Sequence, residues 1–180
     1  MRTSHPSNLG VPEMAMQPQT EEAKQPQSAD LLSLSNQLCF ALYSSSLEMT
    51  KLYRPLLEPL KLTYPQYLVM LVLWEQSGVL VKELGARLHL DSGTLTPLLK
   101  RLETMGLIRR QRNPEDERGV IVTLTKQGET LKAKARGIPG VISCALGLSA
   151  KHFAALHKGV IEARTHIRAY REALDQGREL

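Results

Sequence analysis

Four residues, Leu88-His89-Leu90-Asp91, separate two short segments of helical periodicity, and so short a spacer obliges the two helices to pack at an angle around one core. In the first, VKELGARL, Leu84 and Leu88 point to one side; in the second, SGTLTPLLKRLETMGL, Leu95, Leu98, Leu102 and Met105 turn inward and Gly106 ends the run. Asp91 stands where an N-cap belongs. Directly after comes LIRRQRNPEDERGVIVTLT, which reads as a hairpin. It has a basic strand to Arg112, a turn at Asn113 and Pro114, an acidic tip, and a return strand in which Val120, Val122 and Leu124 alternate with Ile121 and Thr123. Helix, tight turn, helix, hairpin is the order of a winged helix-turn-helix.

Elements on either side are helical too. From Asp30 onward, Leu31, Leu34, Leu38, Ala41, Leu42, Ser45 and Met49 recur at steps of three and four, predicting one long helix closed by Pro55 and Pro59. LTYPQYLVMLVLWEQSG predicts a second, almost wholly apolar helix to about Gln76, with Thr63 and Gln66 as a capping box and Pro65 in the first turn. A short extended pair, Val79 and Leu80, leads into the helix pair. After Thr125 the chain reads as helical segments broken at Gly137 to Gly140 and near Gly147, with Ser149 capping the last helix. The fold class is thus mainly α with a small β-hairpin wing. Terminal helices in a chain of 180 residues have apolar faces that a second subunit would cover.

The first 27 residues are rich in Pro, Gln, Ser, Thr and Glu and read as a disordered extension. They lack the apolar core of a signal peptide, and no apolar run approaches the ~18 to 20 residues of a membrane span. The expectation is a cytoplasmic protein without a membrane partner. A net charge of +5 and a pI near 9.3 permit nucleic acid without selecting it. The two cysteines, Cys39 and Cys144, and the five histidines show no metal-ligand spacing, so neither a metal nor a cofactor is expected.

The second helix of the pair opens with small and hydroxyl-bearing residues, which let a backbone approach the major groove. Ser92, Gly93, Thr94, Thr96 and Pro97 supply that profile, and Lys100 lies one turn on. At the wing tip Arg118 suits the negative potential of a narrow minor groove, with Asp116 placed to orient it.

The segment VKELGARLHLDSGTLTPLLKRLETMGLIRRQRNPEDERGVIVTLTKQG resembles the winged-helix core of the MarR family of transcription regulators, including its D-x-R wing at Asp116-Glu117-Arg118. The likeness spans roughly residues 31–174. It implies a non-enzymatic homodimer on a pseudo-palindromic operator in double-stranded DNA. The winged helix-turn-helix would occupy about 61–126, and the dimerisation helices about 28–58 and 127–176, within a MarR-type domain of 28–180.

Cys39 sits on the apolar stripe of the first predicted helix, well inside it, with Tyr43 one turn on. Tyr53 is in phase as well, yet roughly 21 Å along a straight helix, so it meets a Cys39 only in a dimer with antiparallel first helices. Tyr64 lies in the first turn of the second helix. A cysteine here is a core hydrophobe or an accessible thiol, and burial separates the two. The set Cys39, Tyr43, Tyr53 and Tyr64 resembles the organic-hydroperoxide repressors within the MarR family. That likeness implies oxidation of Cys39 by organic hydroperoxides as inducers, tyrosine hydrogen bonds to its thiolate, and a disulfide between subunits with Cys144. Two other classes remain open: a repressor that binds a small phenolic or carboxylate ligand with inert cysteines, and a thiol peroxidase.

Overall fold

The computed structural model describes residues 32–114, 116 and 119–177; the extension over 1–27 lies outside them. The described residues divide into two units, with the boundary between Tyr43 and Ser44.

A 3-10 turn, Leu34–Asn36, precedes α1 (Leu38–Leu57), which crosses from the first unit into the second. The long helix expected from Asp30 is therefore shorter at its start: Gln37 is extended, at φ −86° and ψ 106°. Just before this interruption Ser33 and Ser35 pair their hydroxyls at 2.9 Å. Pro55 does not close α1, which continues to Leu57 and gives way to a 3-10 turn at Glu58–Leu60.

The second unit holds α2 (Tyr64–Glu75), β1 (Val79–Leu80), α3 (Val81–Leu88), α4 (Ser92–Thr104), β2 (Ile108–Arg112), β3 (Val120–Leu124), α5 (Lys126–Ala135), α6 (Ile138–Leu146) and α7 (Ala150–Asp175). α2 starts as its sequence predicts, with the Thr63 amide donating to Gln66 Oε1 at 2.9 Å. It is apolar all round because it is the central helix: Tyr67, Val69, Met70, Leu73 and Trp74 are buried against Leu84, Leu95, Leu99, Leu102, Ile108 and Val122. Each such fully buried side chain contributes roughly 1.5–3 kcal/mol of apolar transfer. In α4 it is Leu99 that is buried, while Leu98 is only half covered.

The Val79 and Leu80 pair becomes a strand. It lies antiparallel to β3, giving a three-stranded sheet in the order β1-β3-β2 rather than a bare hairpin. α5 is fixed to this core from three sides. Thr125 Oγ1 donates to the Gly106 carbonyl at 2.6 Å, Trp74 Nε1 donates to the Gly128 carbonyl at 2.9 Å, and Lys132 Nζ donates to the Trp74 carbonyl at 2.7 Å. The break after α5 falls at Arg136 and Gly137, and Gly140 lies inside α6. Gly147, at φ +62°, closes α6, and Ser149 caps α7. α7 buries none of its residues. Among the described residues no single helix is long and apolar enough to cross a membrane.

Candidate functional site

The turn between α3 and α4 is built by three residues. His89 takes the left-handed conformation, φ 55°, and lets the chain reverse. The Leu90 amide then donates to the Gly85 carbonyl at 2.9 Å. A β-carbon at Gly85 would stand 2.9 Å from the Leu90 carbonyl oxygen, so this close passage requires glycine. Arg87 forms an ion pair with Glu75, tying α3 to the end of α2.

Asp91 is the N-cap of α4, accepting from the Thr94 amide at 2.8 Å and from the Thr94 hydroxyl at 3.0 Å. These bonds hold its carboxyl below the ordinary aspartate range. Ser92, Gly93, Thr94, Thr96, Pro97 and Lys100 are all exposed. Two of the hydroxyls are already engaged, since Thr94 donates to Asp91 and Thr96 donates to the Ser92 carbonyl at 2.7 Å. Their hydroxyl oxygens are left as acceptors toward an outside partner.

Across a cleft of about 780 Å³ from Ser92 and Thr96 lie Asp116 and Gly119 of the wing, with Lys82 and Arg110 on the remaining walls. Asn113 donates to Gly119, and Gly119 to Asp116, each at 2.8 Å through the backbone, which closes the wing turn. Arg118 lies outside the described residues. Glu103 joins α4 to β2: its Oε1 accepts from the Arg110 amide at 3.0 Å and its Oε2 from Arg110 Nε at 2.8 Å and Nη2 at 2.6 Å. Those bonds hold the Glu103 carboxyl below its usual value. The sequence pattern alone gives no hint of this pairing, because Glu103 and Arg110 belong to different elements.

Cys39 is exposed and stands in the first turn of α1, not well inside a helix, because Gln37 interrupts the run before it. In that turn the Phe40 and Ala41 amides both donate to the Gln37 carbonyl at 3.1 Å. Tyr43, four residues on, is exposed as well. Cys144, among small apolar neighbours in sequence, is exposed on α6.

Tyr53 and Tyr64 come together with ring centroids 4.5 Å apart, and Tyr67, which the spacing argument omits, joins them at 5.8 Å from Tyr53. The YPQY repeat was its only signal. Burial, followed by the proximity of Tyr64 and Tyr67, pushes Tyr53 up to about 12. Tyr64 and Tyr67 are raised by burial too. All three phenols therefore remain protonated donors at neutral pH. An apolar groove of about 510 Å³, lined by Leu57, Leu62, Tyr64 and Pro65 with Arg54 at its side, opens beside them. Among the described residues no three His, Cys, Asp or Glu side chains converge as metal ligands.

Two helices in a tight turn, followed by a three-stranded antiparallel wing, define a winged helix-turn-helix. A family profile described as "Transcriptional regulator SarA/Rot" matches residues 51–135. The organic hydroperoxide resistance transcriptional regulator of Bacillus subtilis is 59% identical over 120 residues, 67% of this chain and 80% of that protein. AbfR of Staphylococcus epidermidis gives the structural comparison. Its reduced form bound to DNA matches with a TM-score of 0.66 at 34% identity, over 77% of this chain and 96% of that one. Its overoxidised form bound to DNA matches with 0.66 at 33% identity, over 78% and 99%, and its disulfide form with 0.51 at 34%, over 75% and 95%. The chain belongs to the MarR/SarA family of transcriptional regulators.

Proposed function

We propose that this protein is a dimeric repressor that holds operator DNA while Cys39 is reduced and releases it after an organic hydroperoxide oxidises that thiol. The observation that carries the reading is the exposure of Cys39 in the opening turn of α1, which supports a thiol that an oxidant can reach. The Bacillus subtilis relative, named for organic hydroperoxide resistance, supports the choice of oxidant.

On DNA, α4 enters the major groove with Ser92, Gly93, Thr94, Thr96, Pro97 and Lys100 toward base edges and phosphates, while Asp116 and Arg118 carry the wing into the minor groove. AbfR bound to DNA is the structural precedent for this use of the fold. The dimer rests on α7, where Phe153, Leu156, Val160, Ile167, Tyr170 and Leu174 are exposed at steps that make one continuous apolar stripe. In a two-fold dimer, Tyr53 and Tyr64 of one subunit, with Tyr43 on the thiol's own helix, donate hydrogen bonds to the Cys39 thiolate. The groove beside Tyr64 takes the organic part of the peroxide.

The thiolate attacks the terminal peroxide oxygen and the O–O bond breaks. Cys39 becomes a sulfenic acid, and the alkoxide leaves as an alcohol after taking up a proton. Cys144 of the other subunit then attacks the sulfenic sulfur, forming the disulfide and releasing water. An overoxidised AbfR bound to DNA favours placing release at the disulfide step rather than at the first oxidation. In a gel shift at fixed salt, hydroperoxide should free DNA from the wild-type protein and leave Cys39→Ser bound; release from Cys39→Ser would refute the reading.

One feature favours the second reading, a repressor of small carboxylate ligands. A cavity of about 510 Å³ beside the α3–α4 turn is lined by Arg164, Arg168 and Arg171 of α7. DNA release by aromatic acids from a variant lacking both cysteines would decide for it.

A further inference from the structure

β2 is the outer strand of the sheet, so half of its amides point away from β3. The flanking bonds fix which half: Thr125 donates to the Leu107 carbonyl and Asn113 to the Gly119 carbonyl, so odd-numbered residues of β2 face β3 and the Arg110 amide faces outward. An outward amide at a sheet edge normally belongs to water. Here Glu103 takes it, together with Nε and Nη2 of the same residue.

Three bonds to one carboxylate do two things. They lock the wing root to the last turn of α4, and they hold the Arg110 guanidinium in one orientation. That orientation leaves both Nη1 hydrogens and one on Nη2 unused by Glu103. Arg110 borders the cleft that runs from Ser92 and Thr96 to the wing, with Lys82 and, among the described residues, the single carboxylate Asp116 also on its walls. In a winged helix with α4 in the major groove and the wing in the minor groove, the strand between the two grooves must pass through this cleft. A phosphodiester there meets a guanidinium whose rotamer freedom has been removed beforehand.

We infer that Arg110 is a phosphate-binding residue of the DNA interface and that Glu103 is its positioning residue, setting both the guanidinium and the angle between wing and α4. The inference rests on the DNA-binding reading above. It separates Arg110 from the wing-tip pair Asp116 and Arg118, because a contact at the wing root reads backbone, not sequence.

The test uses the reduced full-length chain and a duplex that the wild-type protein selects from a randomised pool, with affinity followed as a function of salt. Glu103→Gln with Arg110→Gln keeps the shape of the pair without its charges. It should lower the slope of log affinity against log salt by about 0.9 per subunit, with the selected sequence unchanged. Arg110→Lys keeps a cation and should keep the slope, while binding several-fold more weakly for want of the fixed fork. Glu103→Gln alone should also keep the slope and weaken binding several-fold, with circular dichroism showing the fold retained. If the double variant keeps the wild-type slope, Arg110 touches no phosphate and the inference is overturned. If the wild-type protein selects no duplex at all, the DNA-binding reading fails first and takes this inference with it.

Discussion

A β-carbon at Gly128 would stand 2.1 Å from the Leu107 carbonyl oxygen, a separation that backbone on both sides leaves no way to relieve except by moving α5. Gly128→Ala should therefore lower unfolding free energy by about 2–4 kcal/mol, read as a shift of the denaturation midpoint at unchanged m. Trp74→Phe removes the donor to the Gly128 carbonyl from the same junction and should cost about 1–2 kcal/mol, measured in the same way. The tyrosine cluster gives a pH signature. Tyr53 is raised from 10.0 to about 12 in the folded protein, so the native state holds its phenolic proton where the unfolded chain has lost it. Its contribution is fully present below pH 10 and is lost as the pH rises from there toward 12. Denaturant unfolding should show that loss in the wild-type protein and a smaller one in Tyr53→Phe.

At the scale of elements, α7 is the clearest unmet demand, a helix of alternating three- and four-residue apolar steps with no buried residue. Ile167→Asp places a charge in the middle of that stripe and should turn the proposed dimer into a monomer by sedimentation equilibrium, leaving helix content nearly unchanged. The helices whose ends are written in capping residues are legible from sequence: Thr63 and Gln66 start α2, Asp91 starts α4 and Ser149 starts α7. α1 is not, because Leu34, Leu38 and Leu42 keep a helical period straight through the interruption at Gln37. Periodicity reports which side is apolar and not whether the backbone is continuous. That difference moves Cys39 from mid-helix to a helix start. The burial of Leu99 in place of Leu98 has a similar source, since a packed core selects among adjacent leucines that the pattern treats alike. Glu103 and Arg110 were illegible for another reason: their meeting depends on how α4 and β2 cross, which no local pattern encodes.

Across the whole molecule, the account requires a thiol event at α1 and α6 to reach α4 and the wing. The second unit contains a route with definite joints. α5 is tied to the winged core by Thr125, Trp74 and Lys132, so it moves with that core, and the break at Arg136 and Gly137 separates it from α6, which carries Cys144. A disulfide that displaced α6 would act across this break. The most direct test mixes the reduced protein on fluorescent duplex with an organic hydroperoxide, and follows DNA release by anisotropy alongside covalent dimer on non-reducing gels. The account predicts that release and covalent dimer rise together, and that Cys39→Ser and Cys144→Ser abolish both. Full release from Cys144→Ser, or from wild-type chains that remain monomeric on the gel, would contradict it.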